Sequence, residues 1–199
     1  LQELRDDSRK LHIGFSAGRF QFMASPYGVI PRDAVEQAAW PALRGQIFWE
    51  ASEIFLRLLN GEAFSSDSVR KTILSRDTFR TDEDWQAVQD VAIDVRGLNK
   101  PPQEIEIPNH YQFEEIKCIP QNWNRDLLSL TLGSHEPALQ IETNKYRPVQ
   151  VFNLSITAPE LIEATHDRMA ESYHESGGSW QRNMMPRTIM VFLNNEEDL

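Results

Sequence analysis

Small and polar residues recur along this chain at the points where apolar segments end. They are, in chain order, Ser16-Ala17-Gly18-Arg19, Gly133-Ser134-His135, Asn153-Leu154-Ser155 and Asn194-Asn195. Glycine lets a backbone approach a ligand closely, and hydroxyl, amide and guanidinium groups supply hydrogen bonds to a polar ligand. If the fold brings these segments together, their residue types predict a binding site for a small polar ligand rather than a set of unrelated turns.

The Gly133-Ser134 pair is the strongest candidate for an anion site. A helix is predicted over residues 136–144, and the free N–H groups and dipole at a helix N-terminus favour a phosphate. Ser134 lies at the start of that helix, so its hydroxyl is predicted either to bind the anion or to cap the helix. Arg19 is predicted in the same way either to contact a ligand or to lie on the surface after a turn.

The remaining chemistry-bearing residues show no recognised motif. The five histidines do not have metal-ligand spacing, so no metal site is predicted. The sequence contains neither a P-loop nor a G-x-S-x-G segment. Cys118 is the single cysteine and cannot form an internal disulfide, which is typical of proteins from a reducing cytoplasm.

Composition and charge argue against two classes of partner. The chain has 199 residues, of which 40% are hydrophobic and 25% charged, as in an ordinary globular protein. Its net charge of −10 and the lack of a basic tract argue against binding to nucleic acid. No apolar segment reaches the roughly 20 residues that a membrane-spanning helix needs, and the start lacks the pattern of a signal peptide. We therefore expect one cytoplasmic domain over residues 1–199 that binds neither nucleic acid nor a membrane.

Hydrophobic periodicity predicts strands and helices in alternation. Strands are predicted over residues 11–16, 128–132, 149–152 and 187–193. Helices are predicted over residues 46–59, 83–95, 136–144 and 159–173, with a loop over 96–109 and an extended segment over 111–119. Asp82 is the predicted cap of the second helix, and Thr157 with Glu160 forms a predicted capping box for the fourth. Strand–helix alternation is typical of a parallel sheet, whose ligands bind at the carboxyl ends of the strands.

Three longer segments carry a resemblance to a known family. They are SRKLHIGFSAGRFQF from Ser8, AWPALRGQIFWEASEIFLRLLNGE from Ala39 and LTLGSHEPALQ from Leu130. In combination, the chain resembles the bacterial-luciferase-like flavin-dependent monooxygenase family, most loosely between residues 72 and 109. The resemblance implies an α/β fold, a TIM-barrel-like (β/α)8 of the luciferase-like type, here incomplete and holding strands four to seven. Since about 250 residues are typical of such a barrel, we expect a fragment or a naturally short form.

The resemblance also implies which residues would hold the cofactor. Gly18 would allow close approach of the flavin ring, Phe20 would pack near it, and Arg19 would face the phosphate or the substrate. The arginine with which luciferases bind the flavin phosphate matches Ala17 here, so Arg19 or Arg44 would have to replace it. The catalytic histidine of the family lies on an earlier strand, so no catalytic residue is assigned. The expected cofactor-binding residues are Ser16, Gly18, Arg19, Phe20, Gly133, Ser134 and Asn153.

The activity implied by the resemblance is that of a flavin-dependent monooxygenase. Reduced FMN, or a deazaflavin, and oxygen would oxidise a small organic substrate, and a flavin reductase would supply the reduced cofactor. We expect a homo-oligomer, a dimer. Because the strands at residues 11–16 and 187–193 would leave open edges, the polypeptide made alone is expected to be insoluble, molten or paired through these edges with a second copy. The alternative is a non-catalytic flavin-binding or interaction protein derived from the same fold.

Overall fold

The computed structural model of this protein describes residues 10–17 and 25–191. The chain divides into two compact units, the sheet unit (Leu1–Ser16 with Trp123–Leu199) and the helical unit (Ala17–Asn122). That residues 1–199 form one domain stays a prediction.

In chain order, the strands and helices are β1 (Leu11–Phe15), α1 (Ala34–Leu59), β2 (Thr72–Leu74), α2 (Asp82–Arg96), β3 (Ile105–Ile107), β4 (Leu128–Leu132), α3 (Pro137–Tyr146), β5 (Val149–Val151) and α4 (Pro159–Ser172).

The sheet unit contains a three-stranded parallel sheet in the order β1-β4-β5. Leu11 is level with Leu128 at the start of the first pair, and Phe15 is level with Leu132 at its end. β5 pairs with β4 from Leu130 to Leu132. The helix α3 lies between β4 and β5 in the chain, because two parallel neighbours need a crossover connection. The predicted βαβ unit is therefore confirmed.

β4 and β5 supply the buried apolar side chains of the sheet. Four of them are at most 2% exposed: Leu130, Leu132, Val149 and Val151. By contrast, Leu11 of the edge strand β1 is 38% exposed. The predicted bounds of β4 are confirmed, whereas β1 and β5 each end one residue earlier than predicted.

The expected TIM-barrel-like (β/α)8 architecture is wrong. Across residues 10–17 and 25–191, the parallel sheet contains β1, β4 and β5 alone, and it does not close on itself. β2 and β3 instead form a separate antiparallel pair within the helical unit. A barrel requires parallel strands that pair on both sides around a full circle. The α/β class remains, as a small open parallel sheet with helices and a separate antiparallel pair.

The strand predicted over residues 187–193 is wrong in its described part, residues 187–191. Arg187 alone forms a bridge there, parallel to Asn153. Farther along, Ile189 and Val191 are 78% and 76% exposed. Burial therefore does not stabilise the described part of the continuous apolar run that predicted a strand. Residues 192 and 193 lie outside the described residues.

The helical unit has one apolar core formed by α1, α2, β2 and β3. The buried members of this core are Val29, Val35, Ala39, Leu43, Ile47, Leu74, Trp85, Val88, Ala92, Ile105 and Ile107. The helix α1 begins at Ala34, earlier than the predicted residue 46, because Asp33 caps it by accepting the Glu36 N–H at 2.8 Å. None of the helices in the described ranges is long and apolar enough to cross a lipid bilayer.

The short strands β2 and β3 lie where no strand was predicted. Each has three residues, and β3 lies within the predicted loop over residues 96–109. Three residues are too few to show a reliable alternation. The helix α2 is capped by Thr81, which accepts the Asp84 N–H at 3.1 Å, rather than by the predicted Asp82. Of the predicted extended segment, Ile116 forms a single bridge with Phe64.

Candidate functional site

The carboxyl ends of β1, β4 and β5 meet at one edge of the parallel sheet. The Gly133 N–H donates to the Phe15 carbonyl at 2.8 Å, and the Phe152 N–H donates to the Leu132 carbonyl at 2.9 Å. The residues that follow the three strands therefore start from neighbouring positions. We define the carboxyl-edge site as the set Ser16, Gly133, Ser134, His135, Asn153, Thr157 and Arg187.

Gly133 and Ser16 are in close contact. A Cβ atom built on Gly133 would lie 2.8 Å from the Ser16 Cβ, which is closer than real side chains approach. The lack of a side chain at residue 133 is thus required by the neighbouring strand end. The structure brings these two predicted residues together. It also shows why residue 133 is a glycine, because the end of the neighbouring strand leaves no room for a side chain there.

Ser134 forms the turn that precedes α3. Its Oγ accepts the Glu136 N–H at 3.2 Å, and its carbonyl accepts a hydrogen bond from Gln140 Nε2 at 2.9 Å. Pro137 is the first residue of the helix and has no N–H to offer an anion. The structure therefore shows a local turn contact for the Ser134 hydroxyl, and its binding of an anion stays a prediction.

Asn153 is buried with an unsatisfied side chain. The residue is 1% exposed, and its backbone binds Pro186 and Thr188. Its side-chain Oδ1 has no hydrogen-bond partner among the described residues. An unpaired buried acceptor costs about 1–3 kcal/mol, so such an atom is a candidate to receive a hydrogen bond from a ligand.

His135 is a second residue of the carboxyl-edge site with an unsatisfied polar atom, one of its two ring nitrogens. Its Nδ1 is buried and lacks a partner in the described part of the chain, and its Nε2 lies 3.5 Å from Thr157 Oγ1. Burial lowers the pKa of His135, which favours the neutral imidazole at pH 7. A neutral imidazole can donate one hydrogen bond and accept another. The position of His135 directly after Ser134 shows in the sequence that it follows a strand. No pattern in the sequence predicts that its ring nitrogen is buried.

Thr157 closes a turn instead of capping a helix. Its Oγ1 accepts the Leu154 N–H at 3.0 Å, and α4 begins after Ala158. The predicted capping box of Thr157 and Glu160 is therefore wrong. The side chain is used locally because the turn over residues 154–157 places Leu154 within reach of the hydroxyl.

Arg187 brings positive charge to the carboxyl edge. Its Nη2 donates to the Ser155 carbonyl at 2.7 Å and to the Thr157 carbonyl at 3.4 Å. Because Arg187 begins a predicted strand, sequence reasoning places it at the opposite edge of the sheet. The bridge to Asn153 instead places it level with the residue group that follows β5.

The other predicted cofactor-binding residues are not part of this edge as described. Gly18, Arg19 and Phe20 lie outside the described residues, so their roles stay predictions. Arg44, named as a substitute for the phosphate-binding arginine, lies on α1 in the helical unit.

The groups of the carboxyl-edge site fit a flavin. A flavin carries an imide N–H between two carbonyl groups, which matches the unpaired Oδ1 of Asn153. FMN also carries a phosphate, for which a guanidinium such as that of Arg187 is the preferred partner. The neutral ring of His135 can bind a carbonyl group or an N–H group of the same ligand. The edge therefore carries hydrogen-bonding and charged groups of the types that a polar heterocycle with an anionic group would need, and its binding of such a ligand stays a prediction.

A second cluster of buried polar groups lies in the helical unit and was missed in the sequence. Glu50 is 2% exposed and accepts the N–H groups of His110 at 3.0 Å and Tyr111 at 2.8 Å. Glu36, 3% exposed, binds the Arg32 guanidinium. The cavity beside them measures about 10 Å³, which leaves space for little more than one water molecule. We interpret this cluster as a clamp that holds the segment after β3 against α1.

Comparisons with known proteins show no family for this chain. No family model matches the sequence. It is similar to Microtubule-actin cross-linking factor 1 of Rattus norvegicus, with 27% identity over 107 residues, or 52% of this chain and 2% of that protein. The match to Microtubule-actin cross-linking factor 1, isoforms 1/2/3/4, of Mus musculus has the same identity and covers 1% of that protein. The chain thus spans 1–2% of the length of these curated proteins.

The structural comparison agrees with the correction made to the fold. No solved structure matches the chain, so no TIM-barrel relative supports the expected architecture. The resemblance to luciferase-like monooxygenases therefore depends on the quoted sequence segments alone and stays a prediction.

Proposed function

We propose that this protein is a flavin-dependent monooxygenase that holds reduced FMN, or a deazaflavin, at the carboxyl-edge site. One observation carries most weight: the buried Oδ1 of Asn153 has no hydrogen-bond partner among the described residues, and the same is true of the buried Nδ1 of His135. Both atoms follow parallel strands, where α/β folds bind their ligands. The sequence resemblance supplies the flavin as the ligand class. A closed barrel is not required, because every residue named belongs to the sheet unit.

Each polar residue of the edge has a separate role toward the cofactor. Asn153 would bind the imide edge of the ring, and Arg187 with Ser134 would bind the phosphate. His135, kept neutral by burial, would hydrogen-bond a polar atom of the ring or of the substrate. The flavin, when bound, supplies the redox chemistry with oxygen. The protein orients the cofactor and excludes water from it.

The proposed activity implies partners and a compartment. A small organic molecule is the substrate, and a flavin reductase supplies the reduced cofactor. A homodimer in the cytoplasm is part of the same proposal. The single cysteine, Cys118, which is free, is compatible with a reducing compartment.

Oxygen consumption tests the proposal directly. The 199-residue protein is mixed with reduced FMN and air-saturated buffer, and oxygen uptake is followed with small aldehydes, alkanes and amines as substrates. We expect saturable flavin binding and a substrate-dependent uptake above the rate of free flavin. Stoichiometric binding without turnover would favour the non-catalytic alternative instead. A protein that does not bind flavin at all would exclude both.

A pair of buried asparagines supplies the matched variants. Asn153→Leu removes the unpaired Oδ1, and we expect the flavin Kd to rise about tenfold, or about 1.4 kcal/mol, without a lower melting temperature. Asn109 is also buried with an unpaired Oδ1, but it lies in the helical unit and its Nδ2 donates to the Ser66 carbonyl at 3.0 Å. Asn109→Leu should therefore lower stability and leave flavin affinity unchanged. Equal flavin affinity in wild type and Asn153→Leu would contradict the assigned role.

A further inference from the structure

A second cavity lies at the opposite, amino edge of the parallel sheet. It has a volume of about 240 Å³ and is formed where β4 and β5 begin and where the chain turns after α4. We call it the amino-edge cavity. Its wall includes Lys10, Asp126, Arg147, Tyr173, Ser176 and Gly177. None of these residues belongs to the carboxyl-edge site, so the cavity is a separate feature of the sheet unit.

One wall of the amino-edge cavity is closely packed. A Cβ atom built on Gly177 would collide with the Tyr173 ring and would lie 2.8 Å from the Pro148 Cβ. The Tyr173 ring also packs edge-on against Trp180, with 5.0 Å between ring centroids. Trp180 is held in turn, because its Nε1 donates to His166 Nδ1 at 2.9 Å. These contacts fix Tyr173, so this side of the cavity is preformed.

The charge of the cavity wall is opposite to that of the whole protein. Lys10 and Arg147 are cationic, and Asp126, which interacts electrostatically with Arg147, is anionic, so the wall keeps an excess of one positive charge. The whole chain, by contrast, has a net charge of −10. Arg147 is half-buried, and its Nη2 donates to the Arg125 carbonyl at 3.0 Å, which helps to orient the guanidinium. A recess with a local excess of positive charge concentrates anions, even on an acidic protein.

We propose that the amino-edge cavity binds a small organic anion. Lys10 and Arg147 recognise its phosphate or carboxylate, because guanidinium and ammonium groups are the usual partners of both. The hydroxyl-bearing Ser176 and the Tyr173 ring contact its short organic body. Pockets for drug-sized ligands measure roughly 300–1,000 Å³, so a cavity of 240 Å³ suits a molecule of a few carbon atoms.

Two probes and two lysine variants test this site. Glycerol 3-phosphate and succinate are titrated separately by calorimetry into the full chain at low ionic strength. Saturable binding of either supports the proposal, and the tighter probe identifies the preferred head group. Lys10→Gln should weaken binding about tenfold, and added salt should weaken it further, since surface charges are screened. The matched control is Lys100→Gln, because Lys100 is also exposed but lies in the helical unit.

Two results would contradict the proposal that the amino-edge cavity binds a small anion. Wild-type protein that binds neither probe saturably would exclude the site, and so would an equal loss of affinity in Lys10→Gln and Lys100→Gln. Gly177→Ala gives a second readout, since the added methyl group must displace Tyr173 and should abolish probe binding. Flavin affinity at the carboxyl edge should stay unchanged in Lys10→Gln, so failure of this proposal and failure of the proposed function remain distinguishable.

Discussion

The side-chain amide of Asn144 binds both backbone polar groups of Val149. Its Oδ1 accepts the Val149 N–H at 3.0 Å, and its Nδ2 donates to the Val149 carbonyl at 3.1 Å. The same Nδ2 lies 3.1 Å from the Gln140 carbonyl. Asn144 is 3% exposed and Val149 is fully buried. The last turn of α3 thereby satisfies the first residue of β5, where water is excluded.

Replacing Asn144 should destabilise the sheet unit strongly. Asn144→Leu leaves two buried backbone groups of Val149 without partners, at about 1–3 kcal/mol each. We expect the midpoint of urea unfolding to fall markedly with an unchanged slope. Lys145→Ala is the control. Lys145 is the exposed neighbour of Asn144 on the same helix, so its replacement should change the free energy of unfolding by less than about 0.5 kcal/mol. Similar midpoints for the two variants would contradict the role of Asn144.

The contact between Gly133 and Ser16 predicts that a substitution at Ser16 restores the stability lost by a substitution at Gly133. Gly133→Ala places a Cβ atom where Ser16 Cβ already lies, and such overpacking costs about 1–3 kcal/mol. Adding Ser16→Gly removes the opposing atom and should recover most of that loss. A double-mutant cycle of unfolding free energies measures the coupling. Additive effects of the two substitutions would show that the contact is not what requires glycine.

Ser134→Ala separates the turn contact from anion binding. If the hydroxyl also binds the flavin phosphate, the flavin affinity should fall by about 1.5–3 kcal/mol. Loss of the hydrogen bond to the Glu136 N–H should lower the melting temperature in either case. Flavin titration and melting are therefore measured on the same sample. A lower melting temperature with unchanged flavin affinity would assign Ser134 to the turn alone.

Glu50 should make stability depend on pH. Burial is the largest effect on this carboxyl and raises its pKa above the usual 4.5, against the hydrogen bonds from His110 and Tyr111. Its contribution to stability is therefore complete below pH 4.5 and is lost as pH rises through the raised pKa of the folded state. Because glutamine does not ionise, Glu50→Gln should remove this loss of stability at higher pH.

Unfolding free energies of wild type and Glu50→Gln test that dependence. The variant should gain stability relative to wild type as the pH rises above 4.5 and through the raised pKa of Glu50 in the folded state. Glu114→Gln is the control, because Glu114 is an exposed glutamate of the same unit and should show no such trend. A difference between Glu50→Gln and wild type that does not vary with pH would refute the prediction.

Two glycines of the helical unit should respond in opposite directions to alanine. Gly97 ends α2 with a φ of 62°, so Gly97→Ala should lower stability by about 1 kcal/mol. Gly45 lies within α1 with open space around it, so Gly45→Ala should raise stability by about 0.5–1 kcal/mol. Thermal melting of both variants provides the check. The same sign for both would be inconsistent with their backbone environments.

Much of the sheet unit was predictable because its signals are local. The bounds of β4 are confirmed, and α4 ends one residue earlier than predicted. Apolar alternation and helical spacing are set by residues a few positions apart, so they can be read in one sequence. The TIM-barrel expectation failed because matching segments do not determine how many strands pair, or whether Arg187 begins a further strand.

The sequence by itself determined that Ser16, Gly133 and Asn153 follow strands of one parallel sheet, since strand order and crossover helices place such residues at one edge. Only the tertiary structure decided that Asn153 Oδ1 is buried and unpaired. It also decided that Glu50, on a helix, binds the backbone of Tyr111, which lies 61 residues away. Secondary structure depends on nearest neighbours in the chain, whereas burial and hydrogen-bond satisfaction depend on neighbours in space that sequence separation conceals.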